Sequence, residues 1–149
     1  MYRLDFSRIP GRPTIQRVPG QEIQRISRRS EDRGFFQHNG SFNVPPAVRG
    51  AERLVVSFNP VIYLASELSP AEQSEVEAHE MDHFNDFRSA AGDLRRYLSG
   101  AVRRSPWSEL QTAWEWFNYY VREDARILHR NIGRDSIVMN PRPRGSAPY

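Results

Sequence analysis

His79 and His83 stand four residues apart, with Glu80 directly after the first histidine, in the run His79-Glu80-Met81-Asp82-His83. Residues four apart share one face of an α-helix, so both imidazoles can turn toward a single point. Neutral imidazole is a good zinc ligand, and the intervening carboxylate sits where it can hold a water against the ion. Zinc lowers the pKa of such a water toward about 7. A carboxylate in reach takes the proton as the water attacks a carbonyl, then returns it to the leaving amine. The implied chemistry is one Zn2+ ion held by His79 and His83, with Glu80 as general base.

The bland reading is two solvated histidines on a charged helix. It fits poorly, because both fall on or beside the apolar stripe Val76, His83, Phe87, Ala90, Leu94 and Leu98, which recurs at helical spacing. Buried imidazoles next to a glutamate are costly unless something satisfies them.

A catalytic zinc site takes a third protein ligand and keeps one position open. Asp86, three residues after His83, is too close along the helix to complete a tetrahedron. It is assigned to the surroundings of the ligands or to solvent. A second helix carries Glu123, Asp124 and His129. Turning about 100° per residue from Trp114, Asp124 falls at roughly 280°, inside the arc of Ala113, Phe117, Val121 and Leu128. Glu123 at roughly 180° and His129 at roughly 60° lie on its flanks. An acid on an apolar face needs a partner, either a metal or one of the many arginines. Asp124 is therefore the first choice as third ligand, with Glu123 and His129 as alternates. His129, Tyr119, Tyr120 or Arg126 could stabilise charge developing on a substrate oxygen.

These residues need elements to position them. Ser69-Pro70-Ala71-Glu72 reads as a complete capping box opening the motif helix, and Gly100 as its stop. Ser105-Pro106 opens the second helix, which runs through Leu110, Trp114, Phe117, Val121 and Leu128 to about Asn131. Before the motif, the best strand in the chain spans Arg53 to Leu64. It is broken by Asn59-Pro60, which marks an edge, a bulge or an interruption. An edge strand beside the motif helix could pair with an extended peptide. Phe35-Phe36 and Phe42-Asn43-Val44 read as short strands between turns at Gly34, Asn39-Gly40 and Pro45-Pro46.

The expected fold is α+β: a small, partly antiparallel sheet with an edge strand, packed on two long helices. Residues 1–33 are expected to form an extended, mobile arm rich in Arg, Pro, Gly and Ser. Residues 34–135 would form the metal-binding domain, and 136–149 a loose tail. The triplet Ile15-Gln16-Arg17 recurs as Ile23-Gln24-Arg25, too few copies for a repeat architecture.

The chain of 149 residues has no cysteine, so any metal must be held by His, Asp or Glu. It also has no lysine; all 21 basic residues are arginine. Residues 1–50 carry 9 arginines and 4 acids, 51–100 carry 4 and 9, and 101–149 carry 8 and 5. An acidic middle between basic arms is not the single basic stripe of a nucleic-acid binder. No secretory signal and no membrane-spanning stretch is read, so the chain is expected to be soluble.

The motif helix and the strand before it, Ile62-Tyr63-Leu64-Ala65-Ser66-Glu67-Leu68 followed by Glu77-Ala78-His79-Glu80-Met81-Asp82-His83-Phe84, resemble the zincin metallopeptidases. The resemblance covers roughly residues 53–131, and is to small bacterial zinc peptidases and toxin-associated HExxH domains. It implies a zincin-like fold, zinc at His79 and His83, Glu80 as general base, and a protein or peptide substrate. It also implies a bacterial cytoplasmic protein, or an effector or toxin domain delivered by a non-classical route. Asp86 and Ser89 stand where the metzincin branch has Gly and His or Asp, which disfavours that branch. The contrasting class is a catalytically inactive zincin-like module that docks a partner through the arginine-rich arm.

Overall fold

The computed structural model describes residues 2–46 and 52–122, with the side chains of Tyr120 and Arg122 left aside. The chain is α+β, and the described residues form two small three-stranded mixed sheets and three helices.

The apolar run expected as one strand is divided at Asn59-Pro60 into β5 (Arg53–Ser57) and β6 (Val61–Ala65). Proline has no N–H to give a ladder, so hydrogen bonding lapses there. The two halves then take the centre of different sheets. β5 lies between β1 (Arg3–Phe6) and β4 (Ser41–Asn43), and β6 between β2 (Thr14–Val18) and β3 (Gly34–Gln37). The expectation of one sheet is thus corrected to two, and of the edge, bulge or interruption read at Asn59-Pro60 it is the interruption that forms. Val61, Ile62, Leu64 and Ala65 are buried on both faces of β6, whereas β5, equally central, buries only Leu54 and Val56 on one face.

Both sheets follow one plan. The strand from the N-terminal 33 residues pairs parallel with the central strand, Arg3 opposite Arg53 and Thr14 opposite Val61. The strand from the next segment pairs antiparallel, Phe42 opposite Val56 and Phe36 opposite Ile62. Asn39, in the left-handed conformation at φ 49°, and Gly40 therefore connect two sheets instead of closing a hairpin. Residues 1–33 are not only an extended arm: they supply β1, β2 and the helix α1 (Gly20–Ser27). β2 is exposed at four of its five positions, so no hydrophobic alternation betrays it; its ladder to β6 holds it.

Contacts group the chain into two compact units. In one, formed by residues 10–40 and 58–85, the sheet β2-β6-β3 carries α1 and the first half of α2 (Pro70–Ala101). Ile23 of α1 is fully buried and clusters with Ala65 and Leu68. The Gly20 N–H donates to both carboxylate oxygens of Glu67, at 3.1 and 3.0 Å, placing negative charge at the start of α1. The other unit takes residues up to Ile9, Ser41–Ser57 and the described chain from Asp86. There Phe42 stacks on Trp107 and Trp114, with ring centroids 5.2 and 5.1 Å apart, and Phe87 meets Phe117 edge-on. Trp107 opens α3 (Trp107–Arg122), whose Leu110, Ala113, Trp116 and Phe117 are buried.

The capping box forms as read. The Ser69 N–H donates to Glu72 Oε1 at 3.1 Å, and the Glu72 N–H to Ser69 Oγ at 3.3 Å. Helix α2 runs on past Gly100 to Ala101. Among the described residues, no helix is long and apolar enough to cross a membrane.

Candidate metal centre

Phe87, Ala90, Leu94 and Leu98 of the expected stripe are buried, with Ala91 beside them, so its phase holds along the second half of α2. The difference lies at the motif turn, where Glu80 and Phe84 are the buried members. Glu80 is the buried member of the motif, at 6% exposure, while His83 is half-buried and His79 exposed. The expectation that the two histidines occupy the buried face is therefore corrected: they stand on its rim. Phe84, not His83, fills the core position, meeting Phe36 edge-on at 6.0 Å.

Gly34 makes room for this arrangement. A Cβ at Gly34 would come within 2.5 Å of Val76 Cγ1 and 3.1 Å of Glu80 Cγ, so only glycine lets β3 approach α2 this closely. The Phe36 backbone N–H then donates a hydrogen bond to the Glu80 carboxylate. Burial pushes the Glu80 carboxyl up to about 7, and the negative charge of Asp32 pushes the same way; the Phe36 bond opposes them. Gly34, Asp32 and Phe36 were not singled out as site residues. A lone glycine before two phenylalanines reads as a turn, although glycine inside a strand also signals close backbone approach.

The Nε2 atoms of His79 and His83 are 3.1 Å apart. At Zn–N distances of about 2.0–2.1 Å, a tetrahedral ion sets two ligand nitrogens about 3.3 Å apart, so a shift of a few tenths of an ångström suffices. With one oxygen of Glu80, the potential ligand atoms all lie within 4.8 Å of one another. Burial lowers the pKa of His83, and the neighbouring His79 adds to this while Asp82 opposes it. A lowered pKa favours the neutral imidazole that binds metal. The donor set and its spacing fit a divalent ion such as zinc, and two histidines leave positions for further ligands.

Asp86 is buried at 6% exposure, so its assignment to solvent is withdrawn; it does not join the cluster. Among the described residues no other His, Asp or Glu completes the group. Asp124, Glu123 and His129, together with Arg126, lie outside the described residues. Tyr119 is half-buried, with its ring against Trp116. No family model, curated protein or solved structure matches the chain.

Proposed function

We propose that the protein is a zinc-dependent hydrolase acting on peptide bonds. The observation that carries this reading is the convergence of His79 Nε2, His83 Nε2 and a Glu80 carboxylate oxygen within 4.8 Å of one another. His79 and His83 would hold the ion, whose positive charge would polarise a carbonyl and acidify a water. Glu80 would accept a proton from the attacking water and pass it to the departing amine. Its wall of Gly34 and Phe36 excludes solvent on one side and fixes the carboxylate through the Phe36 N–H.

A peptide substrate is favoured by β3, an edge strand that approaches Glu80 through Gly34. Extended peptides pair along such edges. With these features, a zincin-like packing of helix on sheet is the finer reading of the fold. Export as an effector or toxin domain remains the reading given by the resemblance alone.

The test is metal content and proteolysis of the purified chain with Glu80→Gln beside it. The expected result is about one zinc per chain in both, and peptide hydrolysis in the parent only. Undiminished hydrolysis by Glu80→Gln would overturn the mechanism, and absence of zinc from the parent would overturn the site.

A further inference from the structure

In the unit that holds β1 and the second half of α2, a cleft of about 710 Å³ opens between the two. Three guanidinium groups line it: Arg3 from β1, Arg95 from α2 and Arg103 just past the helix end. All three side chains are exposed, and none pairs with an acid among the described residues. Two acids of this unit are engaged elsewhere, Asp5 with Arg53 and Asp93 with Arg96. Leu4 and Val102 give the cleft an apolar wall.

β1 is an edge strand, covered by β5 on one side only. The N–H groups of Arg3 and Ser7 point toward β5, donating to Glu52 and Val56. By the alternation of an extended strand, Leu4 turns its backbone N–H and C=O the other way. Tyr2 shows that side in use: its N–H donates to the Val102 carbonyl at 2.9 Å, tying the end of β1 to the end of α2.

Arg95, Ser99 and Arg103 succeed one another every four residues, and the helical bonding continues past Ala101 with the Val102 N–H on Leu98. Eight residues of helix rise about 12 Å. Side chains four apart on an extended strand lie about 13 Å apart on one face. Arg95 and Arg103 are thus spaced to meet carboxylates four residues apart on one face of an extended chain.

We propose that this cleft binds an extended acidic peptide segment, which adds to the edge of β1 and sets its carboxylates against Arg3, Arg95 and Arg103. The backbone ladder supplies affinity and the arginines select acidic side chains. The Leu4 peptide groups, turned outward beside the arginines, favour a peptide over a simple anion, which would use the arginines alone. The proposal is independent of the metal centre.

The test is fluorescence anisotropy of the full chain with a labelled peptide of alternating Glu and Val. The same peptide with Lys for Glu, the Glu peptide N-methylated at alternate residues, and inorganic pyrophosphate serve as controls. The Glu peptide should bind and weaken with salt, whereas the Lys and N-methylated peptides should not bind. Arg95→Gln combined with Arg103→Gln should weaken binding about tenfold, as expected for two exposed charge pairs. Arg17→Gln, on exposed β2 and outside the cleft, should leave it unchanged. Equal binding of the Lys peptide, or no loss in the double variant, would overturn the proposal. Equal binding of the N-methylated peptide with full displacement by pyrophosphate would overturn the strand pairing, leaving a plain anion site.

Discussion

Gly34 lies against Glu80 so closely that a methyl group on its Cα would stand 3.1 Å from the glutamate Cγ and 2.5 Å from Val76 Cγ1. Val76 is β-branched and stiff about χ1, so it cannot swing clear. Gly34→Ala should destabilise the chain by about 1–3 kcal/mol and weaken zinc binding by about tenfold. Adding Val76→Ala should restore part of both losses, as urea unfolding and zinc titration of the double-mutant cycle will show. Strict additivity of the two changes would count against the contact.

The imidazole pair makes a simpler statement. If it chelates, zinc at a hundredfold excess over its dissociation constant should stabilise the folded chain by about 2.7 kcal/mol. Thermal unfolding with and without zinc measures this directly. In His79→Ala or His83→Ala the increment should vanish, and a chelator should abolish it in the parent. An equal increment in either variant would place the ion elsewhere.

Glu80 should leave a signature in the pH dependence of the metal-free protein. Its carboxyl titrates near 7 when folded, against 4.5 for the ordinary group. Between these values the folded chain holds a proton that the unfolded chain has released, so stability falls as pH rises through the window. The full cost is present above about pH 7 and amounts to about 3 kcal/mol. Glu80→Gln cannot ionise there. In chelator, its stability advantage over the parent should grow from pH 4.5 to 7 and then level off. A constant difference across that range would contradict the burial described for Glu80.

The capping box offers a control remote from metal chemistry. Ser69→Ala removes the Oγ that accepts from the Glu72 N–H, and should cost about 1 kcal/mol in urea unfolding. Zinc stoichiometry should stay unchanged, because the loss falls on the first turn of α2. A coupled loss of zinc would show that the motif helix is held by its start alone.

The motif was legible because its chemistry depends on spacing within one helix, and Ser69 with Glu72 announced that helix. Proline at 60 showed that something interrupts the apolar run. The motif turn of α2 was harder to read. Phe87, Ala90, Leu94 and Leu98 are buried as their spacing suggests, but one turn earlier the core place falls to Phe84 and not to its neighbour His83. Glu80 is polar and carries no hydrophobic signal, so its burial was not legible from the pattern. β1 does alternate, Arg3-Leu4-Asp5-Phe6, but over four residues only, whereas β2 gave no local signal, being almost wholly exposed with its partner β6 47 residues on. Edge strands held by backbone pairing carry little hydrophobic pattern to read.

The pairing plan of the two sheets also bears on how the chain reaches its fold. Arg3 meets Arg53 and Thr14 meets Val61, so neither N-terminal strand has a partner until residues 53–65 have been synthesised. Contacts of such long sequence separation slow folding, because loop closure must precede their reward. One short segment, interrupted by Asn59 and Pro60, supplies the template for both sheets. Its emergence from the ribosome is therefore the event on which both sheets wait, and damage there would leave four strands without partners at once.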